Sequence, residues 1–227
     1  MSGTIEIRHL SVDIAGSPIL IDVVLSIAPG SFVGLIGRNG AGKTTLMRAI
    51  MGLLPARSGE LTFLDKDLRV MPPQARASLD IGYMPEDRRL IPELTVEENV
   101  LLPAWAIGDA HVRDRLGFVY GILPEVREFA PRRALQLSGG QQKLVALARA
   151  LMRGQRLLLL DEPFEGVAPA LARRLVEAIA ALKATGISVL LSESDYVHSG
   201  DLVDSLYVIE RGVVTPRFGV RNSASGS

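Results

Sequence analysis

Three groups of residues in this 227-residue chain have the types and spacing for chemistry. The first is Gly37-Arg38-Asn39-Gly40-Ala41-Gly42-Lys43-Thr44, which fits G-x-x-x-x-G-K-[ST]. Glycines at these places let backbone N–H groups curl around a phosphate with no Cβ in the way. A helix beginning at Lys43 adds the partial positive charge of its N-terminus. Lys43 can then reach the β- and γ-phosphates of a nucleoside triphosphate, and the Thr44 hydroxyl suits Mg²⁺. Asn39, Gly40, Ala41, Gly42 and Thr45 complete the expected nucleotide contacts. The loop says that a triphosphate binds, not which reaction follows.

The second group is Leu157-Leu158-Leu159-Leu160-Asp161-Glu162-Pro163, an apolar run ending in two acids. Ligands of α/β sheets sit at the carboxyl ends of strands, so both acids should emerge near the phosphate loop. Asp161 is expected to hold Mg²⁺ and Glu162 to polarise the attacking water as general base. The third group is Leu137-Ser138-Gly139-Gly140-Gln141. Ser138 and Gln141 have the spacing of a capping box, and the two glycines leave the helix N-terminus open to an anion. An ordinary capped helix would satisfy that pattern equally well.

These groups need elements to hold them. Ile5 and Ile7 alternate with polar residues, as do Val23, Leu25 and Ile27, and both stretches read as half-exposed strands. Phe32-Val33-Gly34-Leu35-Ile36 reads as a strand covered on both faces, feeding the loop and then a helix over 43–51 closed by Gly52. The middle, 86–136, has four prolines, helical patches at 96–102 and 112–121, and no convincing strand. Helix, strand, helix, strand resume from Gln141, with buried strands at 157–160 and 189–191 and a helix stopped by Gly186. The expected fold is an α/β P-loop core with a mainly parallel sheet, an N-terminal antiparallel β subdomain and a helical subdomain inserted at about 88–150. One domain is expected over 1–216, and 217–227 as a flexible tail.

Composition narrows the function. Lys plus Arg (25) balance Asp plus Glu (25), which argues against a nucleic-acid partner. Zero cysteines exclude a disulfide framework, Cys-ligated zinc and a thiol nucleophile. No apolar stretch reaches the roughly 18 residues of a membrane span, and the N-terminus lacks a signal-peptide layout. A soluble, intracellular protein is expected.

The order phosphate loop, helical insertion, LSGGQ, apolar strand with Asp-Glu resembles the ATP-binding subunit of ABC transporters over nearly the whole chain. The resemblance implies ATP and Mg²⁺ as ligands and head-to-tail pairing with a second such subunit, identical or not. Ser138, Gly139, Gly140 and Gln141 would then act on the partner's nucleotide. The stretches GRNGAGKTTLMRAIMGLLPARSGEL, GYMPEDRRLIPELTVEENV and DEPFEGVAP resemble the branched-chain amino-acid importer type and its urea- and amide-importing relatives. That likeness puts Glu86 at the glutamine-loop position, as a further Mg²⁺ contact. It also implies membrane permease subunits docked on 85–98, a solute-binding protein acting indirectly, and a location on the inner face of the cell membrane.

Two positions depart from the family pattern. Ile14 stands where an aromatic residue commonly stacks on adenine, and could instead simply pack in a hairpin. Ser194 stands where a histidine usually contacts the γ-phosphate and the catalytic glutamate, and is expected to share in catalysis. His198, four residues on, is out of register to replace it. These departures keep open an ATP-gated regulatory clamp with weak hydrolysis. A soluble ABC ATPase of DNA repair or translation is a further alternative.

Overall fold

The computed structural model describes residues 4–195 and 197–217. Strands β1 (Ile5–Ile14) and β2 (Ser17–Ile27) form an antiparallel hairpin. The period-two alternation breaks at His9, which adopts φ +53° at a register shift opposite Asp22, itself at φ +54°. Strand β3 (Phe32–Ile36) leads into helix α1 (Lys43–Ile50), after which Gly52 turns the chain with φ +75°. Strands β4 (Ser58–Phe63) and β5 (Lys66–Asp67), the short helix α2 (Pro73–Ala77) and strand β6 (Ile81–Met84) follow. Helices α3 (Val96–Trp105), α4 (Val112–Ile122) and α5 (Pro124–Phe129) occupy the middle, and α6 (Gly139–Leu151) returns to the sheet. The last elements are β7 (Leu157–Asp161), α7 (Pro169–Ala181), β8 (Ser188–Glu193), β9 (Ser205–Glu210) and β10 (Val213–Arg217).

Two sheets result. The smaller, ordered β2-β1-β4-β5, is antiparallel; the larger runs β10-β9-β3-β8-β7-β6 and is parallel except for β9–β10. Five strands that the sequence did not announce appear here. Strand β6 forms the edge beside β7, β9 and β10 extend the opposite side, and β4 and β5 complete the antiparallel sheet. The expected tail must also be corrected at its first residue, because Arg217 pairs with Leu206 as the end of β10. The rest of that expectation, 218–227, lies outside the described residues.

The continuous apolar strands fill two cores at once. Leu157, Leu159 and Leu190 face α1 and the antiparallel sheet, while Leu158, Leu160, Val189 and Leu191 face α6, α7 and the helical insertion. Each buried leucine contributes about 2 kcal/mol, so losing either covering layer would strand several at once. Close approach matters at Gly82, where a Cβ would stand 2.1 Å from Ala150 O. That glycine lets the C-terminal end of α6 rest directly on β6.

Candidate active site

The phosphate loop is fixed at both ends by backbone. Gly37 N–H donates to Glu193 O at 3.1 Å, and Ala41 N–H to Arg38 O at 3.0 Å. Gly42 has φ +116°, and a Cβ there would lie 2.9 Å from Leu20 Cδ2, so only glycine makes this bend. Gly42 is also the N-cap of α1 and no side chain caps it, which leaves the first-turn N–H groups to a phosphate. The Lys43 ammonium donates to Gly37 O and to Arg38 O at 3.1 Å and pairs with Glu162 Oε1 at 2.9 Å. Thr44 and Thr45 stand half-buried on the first turn of α1.

Parallel pairing brings the acids to this loop. Asp161 lies opposite Ser192 in the β7–β8 register, and Ser192 Oγ donates to Asp161 Oδ1 at 2.7 Å. Tyr83, on β6, donates its hydroxyl to Asp161 Oδ2 at 3.4 Å. Burial pushes the Asp161 carboxyl up, while hydrogen bonds from Ser192 and Thr44 pull against that rise. Glu162 sits in a left-handed conformation at φ +50°, its N–H donating to Ser192 O and Ser192 Oγ, both at 3.2 Å. Such backbone strain marks a position that its surroundings over-determine. Ser194 Oγ lies 2.9 Å from Asn39 Oδ1 and 3.2 Å from Glu162 Oε1, so its one proton is shared between loop and acid.

Glu86 is more exposed and lines a small cleft of about 110 Å³ with Thr44, Tyr83 and Asp161. Burial, then the charges of Asp161 and Glu162, raise its carboxyl above the ordinary glutamate value. Carboxylates that disfavour each other's charge, beside one hydroxyl, suit a hard cation. No group of three or more His, Cys, Asp or Glu able to hold a metal occurs among the described residues.

The signature residues lie elsewhere. The capping box read from the sequence is present: Ser138 N–H donates to Gln141 Oε1 at 3.0 Å and Gln141 N–H to Ser138 Oγ at 3.3 Å. Ser138, Gly139, Gly140 and Gln141 line a cleft of about 630 Å³, whereas a cleft of about 690 Å³ follows the phosphate loop from Gly37 to Ala41 and reaches Ser194. The two clefts share no residue. Ile14 is 39% exposed at the end of β1, paired with Ser17, and lines neither cleft. His198 packs its ring on Phe164 at 5.3 Å between centroids.

Sequence reasoning passed over Lys143, Tyr83 and Ser192. Lys143 is buried on α6 and donates to Glu162 O at 2.9 Å and Glu165 O at 2.5 Å, fastening the turn after β7. Its signal was legible, since Lys143, Leu147 and Leu151 share one stripe and a charge there needs a buried partner. Tyr83 and Ser192 gave no such signal, because strand pairing alone brings them to Asp161.

Comparisons with known proteins bear on the family of the chain and on its fold. The family model described as ABC transporter matches residues 20–165. A probable branched-chain amino acid transport ATP-binding protein LivF of Archaeoglobus fulgidus is 34% identical over 86% of this chain and 84% of its own. The high-affinity branched-chain amino acid transport ATP-binding protein BraG of Pseudomonas aeruginosa is 36% identical over 84% and 82%. The lipopolysaccharide export system ATP-binding protein LptB of Escherichia coli is 29% identical over 92% and 88%. The crystal structure of the ADP conformation of MJ1267, an ATP-binding cassette of an ABC transporter, superposes with a TM-score of 0.81 at 29% identity, over 95% of this chain and 90% of that one.

Proposed function

The chain belongs to the ABC transporter family as an ATP-binding, ATP-hydrolysing subunit, and on that premise we propose that it drives an importer of branched-chain amino acids or related small amides or urea. The observation that carries the catalytic part is the meeting of Lys43, Asp161, Glu162 and Ser194 at the carboxyl ends of β3, β7 and β8. In this reading the loop N–H groups and Lys43 hold the phosphates. Glu162 takes a proton from the water that attacks the γ-phosphate, giving ADP and inorganic phosphate. Ser194 holds the Glu162 carboxylate toward Asn39 and the loop. Thr44, Asp161 and Glu86 would hold Mg²⁺, which neutralises charge on the phosphates when bound.

The separation of the two clefts supports a head-to-tail pair. Within one chain Ser138–Gly140 line no part of the cleft beside the phosphate loop, so they would serve the nucleotide of a second cassette. Among the described residues no helix is long and apolar enough to cross a membrane. On the likeness to transport ATP-binding proteins, the pair would work from the inner membrane face through separate permease subunits.

Similarity to LivF and BraG favours amino-acid import; similarity to LptB favours a second reading, the motor of an export system. Co-expression with candidate permease subunits, followed by reconstitution in vesicles, separates them. ATP-driven uptake of labelled leucine or urea supports the import reading, and extraction of a lipid substrate without uptake overturns it.

A further inference from the structure

Strand β8 is apolar and buried from Val189 to Leu191 and then places Ser192, with no exposed surface, at the end of the sheet. A buried hydroxyl has one proton to give and lone pairs to fill, and leaving them unused costs stability. Ser192 uses both. Its Oγ donates to Asp161 Oδ1 at 2.7 Å and accepts the Glu162 N–H at 3.2 Å. One oxygen therefore touches the side chain of the first acid and the backbone of the second. The short donor bond is what an ionised acceptor gives.

The two contacts restrain different things. Asp161 ends β7 and lies opposite Ser192 in the parallel register. Its Oδ1 is held from β8 by Ser192, and its Oδ2 is reached from β6 by the Tyr83 hydroxyl at 3.4 Å. The shorter bond makes Ser192 the firmer hold on the direction of the carboxylate. Glu162 is where the chain leaves the strand, at φ +50°, a backbone that a residue with a Cβ keeps only under constraint. Its N–H is divided between Ser192 O and Ser192 Oγ, both at 3.2 Å, so one residue supplies both acceptors at this turn. Lys143 fastens the same turn through the Glu162 and Glu165 carbonyls. Packing alone would be served by continuing the apolar run of β8; the hydroxyl stands where two acids leave the neighbouring strand.

We propose that Ser192 is the positioning residue that sets Asp161 and Glu162 relative to each other, one hydroxyl aiming the metal acid and pinning the backbone from which the general base projects. The inference rests on the roles of Asp161 and Glu162 given above.

Two measurements on the purified full chain test it. The first is residue-resolved amide hydrogen exchange without nucleotide. In Ser192→Ala the Glu162 amide should exchange about fivefold faster, the scale of losing one neutral hydrogen bond, while the rest of β7 and β8 keeps its protection. The second is the Mg²⁺ concentration for half-maximal ATP hydrolysis. It should rise about tenfold in Ser192→Ala, the scale of losing a group that orients a metal ligand. Ser192→Thr keeps the hydroxyl and should recover most of both effects. Unchanged Glu162 exchange in Ser192→Ala, or a threonine variant as impaired as the alanine one, overturns the bridge. Should Ser192→Ala not fold, Ser192→Cys, whose thiol donates weakly, replaces it under the same criteria. Asp161→Asn is the control, and should raise the Mg²⁺ requirement or abolish turnover. A change in Asp161→Asn with none in Ser192→Ala overturns the bridge and spares the reading of Asp161. Wild-type Mg²⁺ dependence in Asp161→Asn overturns that reading and the proposal with it, and wild-type hydrolysis by Glu162→Gln would likewise remove the base on which the proposal rests.

Discussion

Lys43 Nζ and Glu162 Oε1 lie 2.9 Å apart, with the two side chains only 4% and 7% exposed. The group proposed to hold phosphate and the group proposed to activate water are therefore each other's counter-ion. Removing one leaves the other charged and buried. Lys43→Met should lose ATP binding and also cost about 3 kcal/mol of stability in the absence of nucleotide, by analogy with broken buried pairs. Adding Glu162→Gln should return at least about 1 kcal/mol of this, since the stranded charge is gone. Urea unfolding of both single variants and the double variant measures the coupling. Strict additivity would show that the pair contributes nothing.

Glu162→Gln alone keeps the hydrogen-bonding shape of the side chain and loses the basic oxygen. ATP binding should persist while hydrolysis slows on the order of 10²-fold or more, the scale of general-base help. The slow variant should accumulate as an ATP-bound dimer, seen by light scattering. Hydrolysis at the wild-type rate would place the base elsewhere.

Ser194 contributes one hydroxyl proton between Asn39 Oδ1 and Glu162. Because Lys43 also holds Glu162, the carboxylate is not left alone when that proton is removed. Ser194→Ala should cost about 1 kcal/mol, or roughly fivefold in steady-state phosphate release at saturating Mg·ATP. A thousandfold loss would make Ser194 as central as a catalytic histidine would be.

Ser138→Arg tests the trans role of the signature. The substitution also removes the cap that Gln141 N–H uses, so Ser138→Ala is the control, costing about 1 kcal/mol of stability. Only the arginine variant should block ATP-induced dimerisation and turnover while ATP still binds the monomer. Normal dimerisation of Ser138→Arg would remove this face from the interface.

Glu193 is a buried carboxylate without a mechanistic task. Its Oε2 has no hydrogen-bond partner among the described residues, and burial pushes its pKa from the ordinary 4.5 to about 7. The folded state thus binds this proton more tightly than the unfolded chain does. The associated stability is full below about pH 4.5 and is lost as pH rises toward about 7, on the order of 3 kcal/mol across that window. Glu193→Gln should remove this slope and be the more stable protein at pH 8. Unfolding midpoints from pH 5 to 8 check it, and parallel profiles for the two proteins would refute the assignment.

Local rules were enough for much of this molecule. The capping box of Ser138 and Gln141, the helix that starts at Lys43 and the turn at Gly52 each depend on residues within one turn of chain, so their spacing states them. The apolar run ending at Asp161 announced a strand buried on both faces because it is short, wholly apolar and stopped by Asp161-Glu162-Pro163. The short strands β6, β9 and β10 were not legible. Ile81–Met84 has only four residues, and its strand character comes from pairing with β7. The bulge at His9 similarly follows from the partner strand and hides the period of β1.

What the tertiary structure alone decided is which side chains meet. Asp161 beside Ser192, and Ser194 between Asn39 and Glu162, join residues some 30 to 155 positions apart. Strand register and helix placement fix those encounters, and both are set by burying two apolar faces at once. The sequence by itself determined that a triphosphate would be held, because a phosphate loop is chemistry written in consecutive residues, and the two acids that end the apolar run made hydrolysis the expected reaction. It left open the counter-ion of Lys43, the seat of Ile14 and the place of Ser192, because each depends on distances that only the packed sheet defines.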